Sequence, residues 1–121
     1  MTKFVGEKVL MRIFTGETKK YGHIPLYEAL VELFRKEGFA GATVFRGVAG
    51  FGARSVLHTA TILQLSEDLP VLVEVVDTAE QMGRLEGIVD EMVEEGLVTF
   101  EKVRVLRYAP RPGGLRKTRG P

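Results

Sequence analysis

The chain has 121 residues, 45% of them hydrophobic and 27% charged, which is the material of one folded domain and excludes disorder of the whole. It contains no cysteine, so disulfides, thiolate metal sites and cysteine nucleophiles fall away together, which suits a reducing compartment. The apolar runs, such as Val71–Val73, are broken by charge far short of the roughly 18 residues a membrane span needs. No apolar core follows the charges of Met1 to Lys8, so a cytoplasmic protein without membrane insertion is expected.

Lys and Arg number 17 and Asp and Glu 16, but the balance is uneven along the chain. The segment after Pro110 holds Arg111, Arg116, Lys117 and Arg119 and no acid; taking those four from 17 leaves 13 basic residues against 16 acidic ones. A mildly acidic body argues against a nucleic-acid partner. Residues 1–109 are therefore expected to form the domain. Residues 110–121, with their prolines and glycines, read as a flexible basic tail, either a solvated terminus or a phosphate-binding arm.

Lys8–Thr15 (KVLMRIFT) alternates as a strand does, with Val9, Met11 and Ile13 on one side and Leu10, Arg12 and Phe14 on the other. A polar turn is predicted from Gly16 to His23. A helix follows, with Pro25 at its first position, Leu26, Leu30, Leu33 and Phe34 at helical spacing, and Gly38 placed for a left-handed cap. Gly41 to Val48 is the second predicted strand and Leu69–Asp77 the third. Thr78 and Gln81 have the spacing of a capping box. Met82, Leu85, Val89 and Met92 form a second helical stripe, Gly96 is its expected end, and Val98–Arg107 is the fourth strand.

The two halves align at a constant offset. Glu28 matches Glu86, Val31 matches Val89, Glu32 matches Asp90, and Glu37-Gly38-Phe39 matches Glu95-Gly96-Leu97. Two β-α-β units with right-handed crossovers predict an α+β, ferredoxin-like β-α-β-β-α-β domain: a four-stranded antiparallel sheet with two helices on one face. The other face should then be polar, yet neither side of the strands reads so. Val71, Val73 and Val75 oppose Leu72, Glu74 and Val76, so whichever set faces the helices, the other is too apolar for water. Either another subunit covers it, or strand four or the tail folds back over it. Arg12 and Glu74 are expected to pair there across neighbouring strands.

Ala49 to Asp68 is too long for a hairpin connection and has room for some strand of its own at Thr61–Leu65. It opens with Arg46-Gly47-Val48-Ala49-Gly50-Phe51-Gly52-Ala53-Arg54, followed by Ser55 and His58. Glycines beside arginines let backbone approach a phosphate closely while a guanidinium forks onto its oxygens; the same glycines also serve turns. No helix clearly starts after them, so the Rossmann pattern is not met.

These residues resemble a known family. Gly50-Phe51-Gly52, an arginine just after, His58-Thr59, and Leu69-Pro70 leading into Val73-Glu74-Val75-Val76 are similar to PII-type signal-transduction proteins around their long T-loop. A fuller set resembles domain-of-unknown-function family 190, small PII-like proteins of prokaryotes, across roughly Lys8 to Leu106. It comprises Gly16-Glu17, Pro25-Leu26-Tyr27-Glu28-Ala29, Gly41-Ala42-Thr43-Val44, Arg46-Gly47, Gly50-Phe51-Gly52, His58-Thr59 and Leu65-Ser66-Glu67-Asp68-Leu69-Pro70. The resemblance implies a homotrimer with adenine-nucleotide clefts between subunits, and a regulatory or signalling role without enzymatic activity or a required cofactor. Carried over by position, Gly50 and Gly52 would approach the ligand and Arg46 and Arg54 would meet its phosphates, with Gly47 and Phe51 beside them. Lys102, Arg104 and Arg107 on the fourth strand are further candidates. The 46–68 loop would be the responsive element that contacts a partner protein.

The loop lacks the tyrosine that some PII proteins modify. Glu94-Glu95-Gly96-Leu97-Val98 replaces the glycine-rich, lysine-containing connection PII uses around phosphates, which favours AMP or ADP over a triphosphate. An alternative is a divalent-metal-binding trimer like the CutA family, for which His23 and His58 are the only histidines. For an enzyme the sequence offers Ser55 near His58 and the Glu67-Asp68 pair, with no third group to complete a catalytic set.

Overall fold

The structure, a computed structural model, describes residues 4–51 and 68–109. Gly52, Arg54, Ser55, His58, Glu67, the Thr61–Leu65 strand and the 110–121 tail lie outside the described residues.

The elements run β1 (Gly6–Gly16), β2 (Lys20–Tyr21), β3 (Ile24–Pro25), α1 (Leu26–Lys36), β4 (Thr43–Arg46), β5 (Pro70–Asp77), α2 (Ala79–Met92) and β6 (Leu97–Val105). Four of the strands form one sheet in the order β4-β5-β1-β6, every neighbouring pair antiparallel. This is the ferredoxin-like arrangement that the two β-α-β units predict. The small β2–β3 hairpin, turning at Gly22-His23, lies inside the segment read as a plain turn; two-residue strands leave no periodicity to detect. Lys19 clips the hairpin to the turn after α2, its Nζ donating to Glu95 Oε1 at 2.9 Å.

Strand alternation places Met11, Ile13, Val71, Val73 and Val75 against the helices, where they are 2% exposed or less. From α1 come Leu26, Ala29, Leu30 and Phe34, and from α2 Met82, Leu85, Val89 and Met92, each set on one helical stripe. Burying a side chain of the size of Leu or Phe contributes about 1.5–3 kcal/mol, so this single layer of contacts carries most of the stability.

The helix ends differ. At the end of α1, Phe39 N–H reaches Phe34 O at 3.0 Å and Gly38 N–H reaches Arg35 O at 3.3 Å, the paired bonds of a Schellman cap. Gly38 has φ +80, which costs a side-chain-bearing residue strain, and the Phe34 and Phe39 rings pack with centroids 5.0 Å apart. The start of α1 shifts by one residue: Pro25 is the N-cap and Leu26 the first helical residue, because Pro25 also pairs in β3.

In α2, Thr78 Oγ1 accepts from Gln81 N at 3.0 Å, but the reciprocal arm of the capping box is absent. Asp77 Oδ1 takes the Thr78 N–H instead, at 2.8 Å, and the Gln81 amide donates to Glu37 O at 3.3 Å. Nor does Gly96 end this helix. α2 stops at Met92, and Gly96 follows the turn, where a Cβ would lie 2.5 Å from Phe14 O. The helix offset is not kept in packing either, since it sets fully buried Leu30 against Ile88, which is 44% exposed.

The face away from the helices is ordered in rows by the register. Phe45, Leu72, Phe14 and Leu97 form one apolar row across all four strands, with Leu97 56% and Phe45 49% exposed. The next row is Thr43, Glu74, Arg12 and Thr99, and the next Val76, Leu10 and Glu101. Arg12 joins the last two rows, with Nε on Glu74 Oε2 at 2.9 Å and Nη1 on Glu101 Oε1 at 3.1 Å. The hydrogen bond to Glu74 raises the Arg12 pKa above its ordinary value. The predicted Arg12–Glu74 pairing is thus present. The chain after β6 reaches back over the far end of this face, where Tyr108 Oη donates to Ala40 O at 3.0 Å. It leaves the Phe45–Leu97 row open.

Candidate functional site

Two regions gather the residues singled out in the sequence. The first is the mouth of the 46–68 loop, where β4 ends and β5 begins. Gly47 N–H donates to Pro70 O at 2.7 Å, and a Cβ on Gly47 would lie 2.7 Å from Pro70 Cγ, so only glycine fits without displacement. Gly50 is nearly as close, its Cβ position 3.1 Å from the same Pro70 carbon. On the other side Glu17 N–H donates to Leu69 O at 2.8 Å. Asp68, at φ +46, turns its Oδ1 to Thr18, accepting from Oγ1 at 2.9 Å and from N at 3.3 Å.

Arg46 stands at the rim of this mouth, with Nη2 2.7 Å from Glu17 Oε2. Its guanidinium is half exposed and already holds a carboxylate, so an incoming anion would compete with Glu17 for it. Phe51 is 69% exposed.

The second region is a groove of about 390 Å³ on the open face of the sheet. Its floor is Thr43, Glu74 and Val76; one wall is the Ala40-Gly41-Ala42 backbone and the other is Arg107 and Tyr108, with Phe4 at the end. Glycine and alanine keep that wall low, Glu74 offers a carboxylate steadied by Arg12, and Arg107 is a cationic residue of the lining. The lining is mostly apolar and carries one acid and one base, which suits a small planar group.

Of the predicted site residues, Arg46, Gly47 and Gly50 meet at the loop mouth and Arg107 lines the groove. Lys102 and Arg104 are exposed on β6 opposite Val9 and Glu7, on the helix side of the sheet and away from Arg107. Within one copy the two regions do not join. Strand alternation puts Arg46 on the helix side of β4 and Thr43 on the groove side. Sequence reasoning passed over Ala40, Thr43, Val76 and Tyr108 as site residues, and weighed Asp68 only in a carboxylate pair with Glu67. Gly41-Ala42-Thr43 carried a signal as part of the family-like set, and Glu74 as a charge among valines; Tyr108 carried none. Among the described residues no group of three or more His, Cys, Asp or Glu is placed to hold a metal ion. His23 is exposed in the hairpin turn.

The model of domain-of-unknown-function family 190, described as uncharacterized ACR, COG1993, matches residues 8–105. The chain belongs to this family. A UPF0166 protein of Aquifex aeolicus strain VF5 is 40% identical to this family-190 chain over 103 residues, 84% of this chain and 96% of that one. Among solved structures, CPII of Thiomonas intermedia K12 bound to ADP and bicarbonate superposes with TM-score 0.62 at 18% identity, covering 88% of this chain and 95% of that one. CPII bound to ADP, AMP and bicarbonate gives TM-score 0.57 at 17% identity, covering 84% and 96%. At these identities the likeness is one of fold, and the fold is PII-like.

Proposed function

We propose that this chain is a PII-like regulatory protein that binds an adenine nucleotide, AMP or ADP, in clefts between copies of itself in a cytoplasmic homotrimer. What carries the proposal is that a single copy holds two half-sites facing opposite ways across β4: a glycine-lined loop mouth with Arg46, and an open groove with Arg107 and Glu74. A neighbouring copy packed on the open face would bring one half against the other. The exposed Phe45–Leu72–Phe14–Leu97 row supplies the apolar surface for such packing. The ADP and AMP carried by CPII, which shares the fold, support the ligand class.

The response follows from the pairing at the rim. A phosphate that takes Arg46 from Glu17 frees the residue whose N–H also holds Leu69, so the two ends of the 46–68 loop would loosen together. Arg54 and Gly52, further along the loop, would complete the phosphate contacts, and the loop would then present itself to a protein partner. No catalytic step is part of this role.

Calorimetry with AMP, ADP and ATP tests it, alongside sedimentation of the unliganded protein. The expected result is a trimer that binds AMP or ADP, with ATP no tighter. Arg46→Ala and Arg107→Ala should each weaken binding about tenfold, the worth of one charge-assisted hydrogen bond. A well-folded monomer, or no heat with any of the three nucleotides at millimolar concentration, would remove the proposal.

A further inference from the structure

Tyr108 lines the groove, and its contacts also tie the segment after β6 to Phe4 and Ala40. Its hydroxyl donates to Ala40 O at 3.0 Å, and its ring meets Phe4 edge-on with centroids 5.3 Å apart and planes at 61°. Phe4 is in turn covered by Lys8, whose Nζ sits 5.2 Å from the ring centroid. β6 ends at Val105, so these contacts lie beyond the last sheet pairing. Ala40 is itself fixed, because its N–H donates to buried Asp77 Oδ2 at 2.9 Å.

We infer that Tyr108 is a positioning residue for Arg107: by pinning the chain after β6 to Ala40 and Phe4, it keeps Arg107 at the groove that this residue lines. The inference rests on the nucleotide reading of that groove for its consequence in binding, but not for its geometry. Without the latch, Leu106 to Ala109 keep no described hydrogen bond to the sheet, and Arg107 would sample the solvent before it could meet an anion. Ordering it would then fall to the ligand, which lowers affinity. Because the latch acts through the arginine, only the anionic part of a ligand should sense its loss.

Two measurements on Tyr108→Phe, Tyr108→Ala and the wild type decide it. The first needs no ligand. The backbone order parameter at Arg107 should be near the rigid value of about 0.85 in the wild type and fall toward 0.6 or below in Tyr108→Ala, with Tyr108→Phe between. Unchanged order in both variants overturns the inference whatever the protein binds. The second is calorimetry with AMP and adenosine. Tyr108→Phe should weaken AMP roughly threefold while leaving adenosine unchanged, and should have no further effect in an Arg107→Ala background. Equal losses for both ligands, or additive losses in the double variant, would make Tyr108 a general structural residue and not a latch for Arg107. If the wild type binds no nucleotide, the functional proposal falls and the order parameters alone settle the latch.

Discussion

At the loop mouth, shape comes from backbone: Gly47 and Gly50 lie against Pro70, and main-chain bonds from Gly47 and Glu17 close both sides. In the groove, shape comes from side chains reaching between separate segments: Arg12 to Glu74, Tyr108 to Ala40, Phe4 to Tyr108. The first kind of site tolerates almost no added atom, whereas the second is expected to accept substitution and to answer it by loosening. The contrast teaches that the same amount of damage should show in different observables, as a melting temperature at the mouth and as an affinity in the groove.

The sharpest way to break that contrast is to overfill the mouth. Gly47→Ala sets a methyl 2.7 Å from Pro70 Cγ and 3.3 Å from Pro70 O. Overpacking of this kind costs about 1–3 kcal/mol and should lower the melting temperature by several degrees. An unchanged melting curve would mean that the mouth is not held by its backbone.

Arg12→Ala acts on the groove floor, leaving Glu74 and Glu101 facing each other across β1 without their shared cation. Here the expected loss is smaller and should shrink as salt is added, because the repulsion is partly exposed and therefore screened. A deficit that does not respond to salt would point to lost packing and not lost charge.

Glu17→Gln weakens the competitor for Arg46 and should tighten an anionic ligand by about two- to fivefold, the worth of one exposed ion pair. Tighter binding with no change in the melting curve would sharpen the contrast, since only the rim charge has been altered.

Smallest of all is Glu32→Gln on the outer face of α1. The hydrogen bond from Arg35 holds the Glu32 carboxyl below its ordinary value. Any contribution is therefore present above the unfolded-state pKa and lost as pH falls through the lower folded one. The pair is fully exposed, and melting curves of variant and wild type at pH 7 and in acid should coincide.

The sheet and its core were legible because alternation is a strong signal: Val71, Val73 and Val75 on one side of a strand leave few choices, whereas the Arg12–Glu74 register needed the strand pairing itself. Gly38 announced a helix end correctly because its neighbour Phe39 packs on Phe34. Gly96 misled, because a glycine demanded by close approach to Phe14 looks the same in sequence as one demanded by a cap. For the candidate site, the loop mouth could be read from Arg46-Gly47 and Gly50, whose chemistry is local. Most of the groove could not. It joins Phe4, Ala40, Glu74 and Tyr108 from distant parts of the chain, and only the strand order brings them together.

The methyl group of Ala40 takes no part in either of its hydrogen bonds, yet its amide holds Asp77 and its carbonyl holds Tyr108, so one residue couples the start of α2 to the segment after β6. Scanning by truncation to alanine would pass over this position in silence. Only a change to the main chain itself, such as Ala40→Pro, which deletes the donor, would expose a joint that side-chain mutagenesis cannot see.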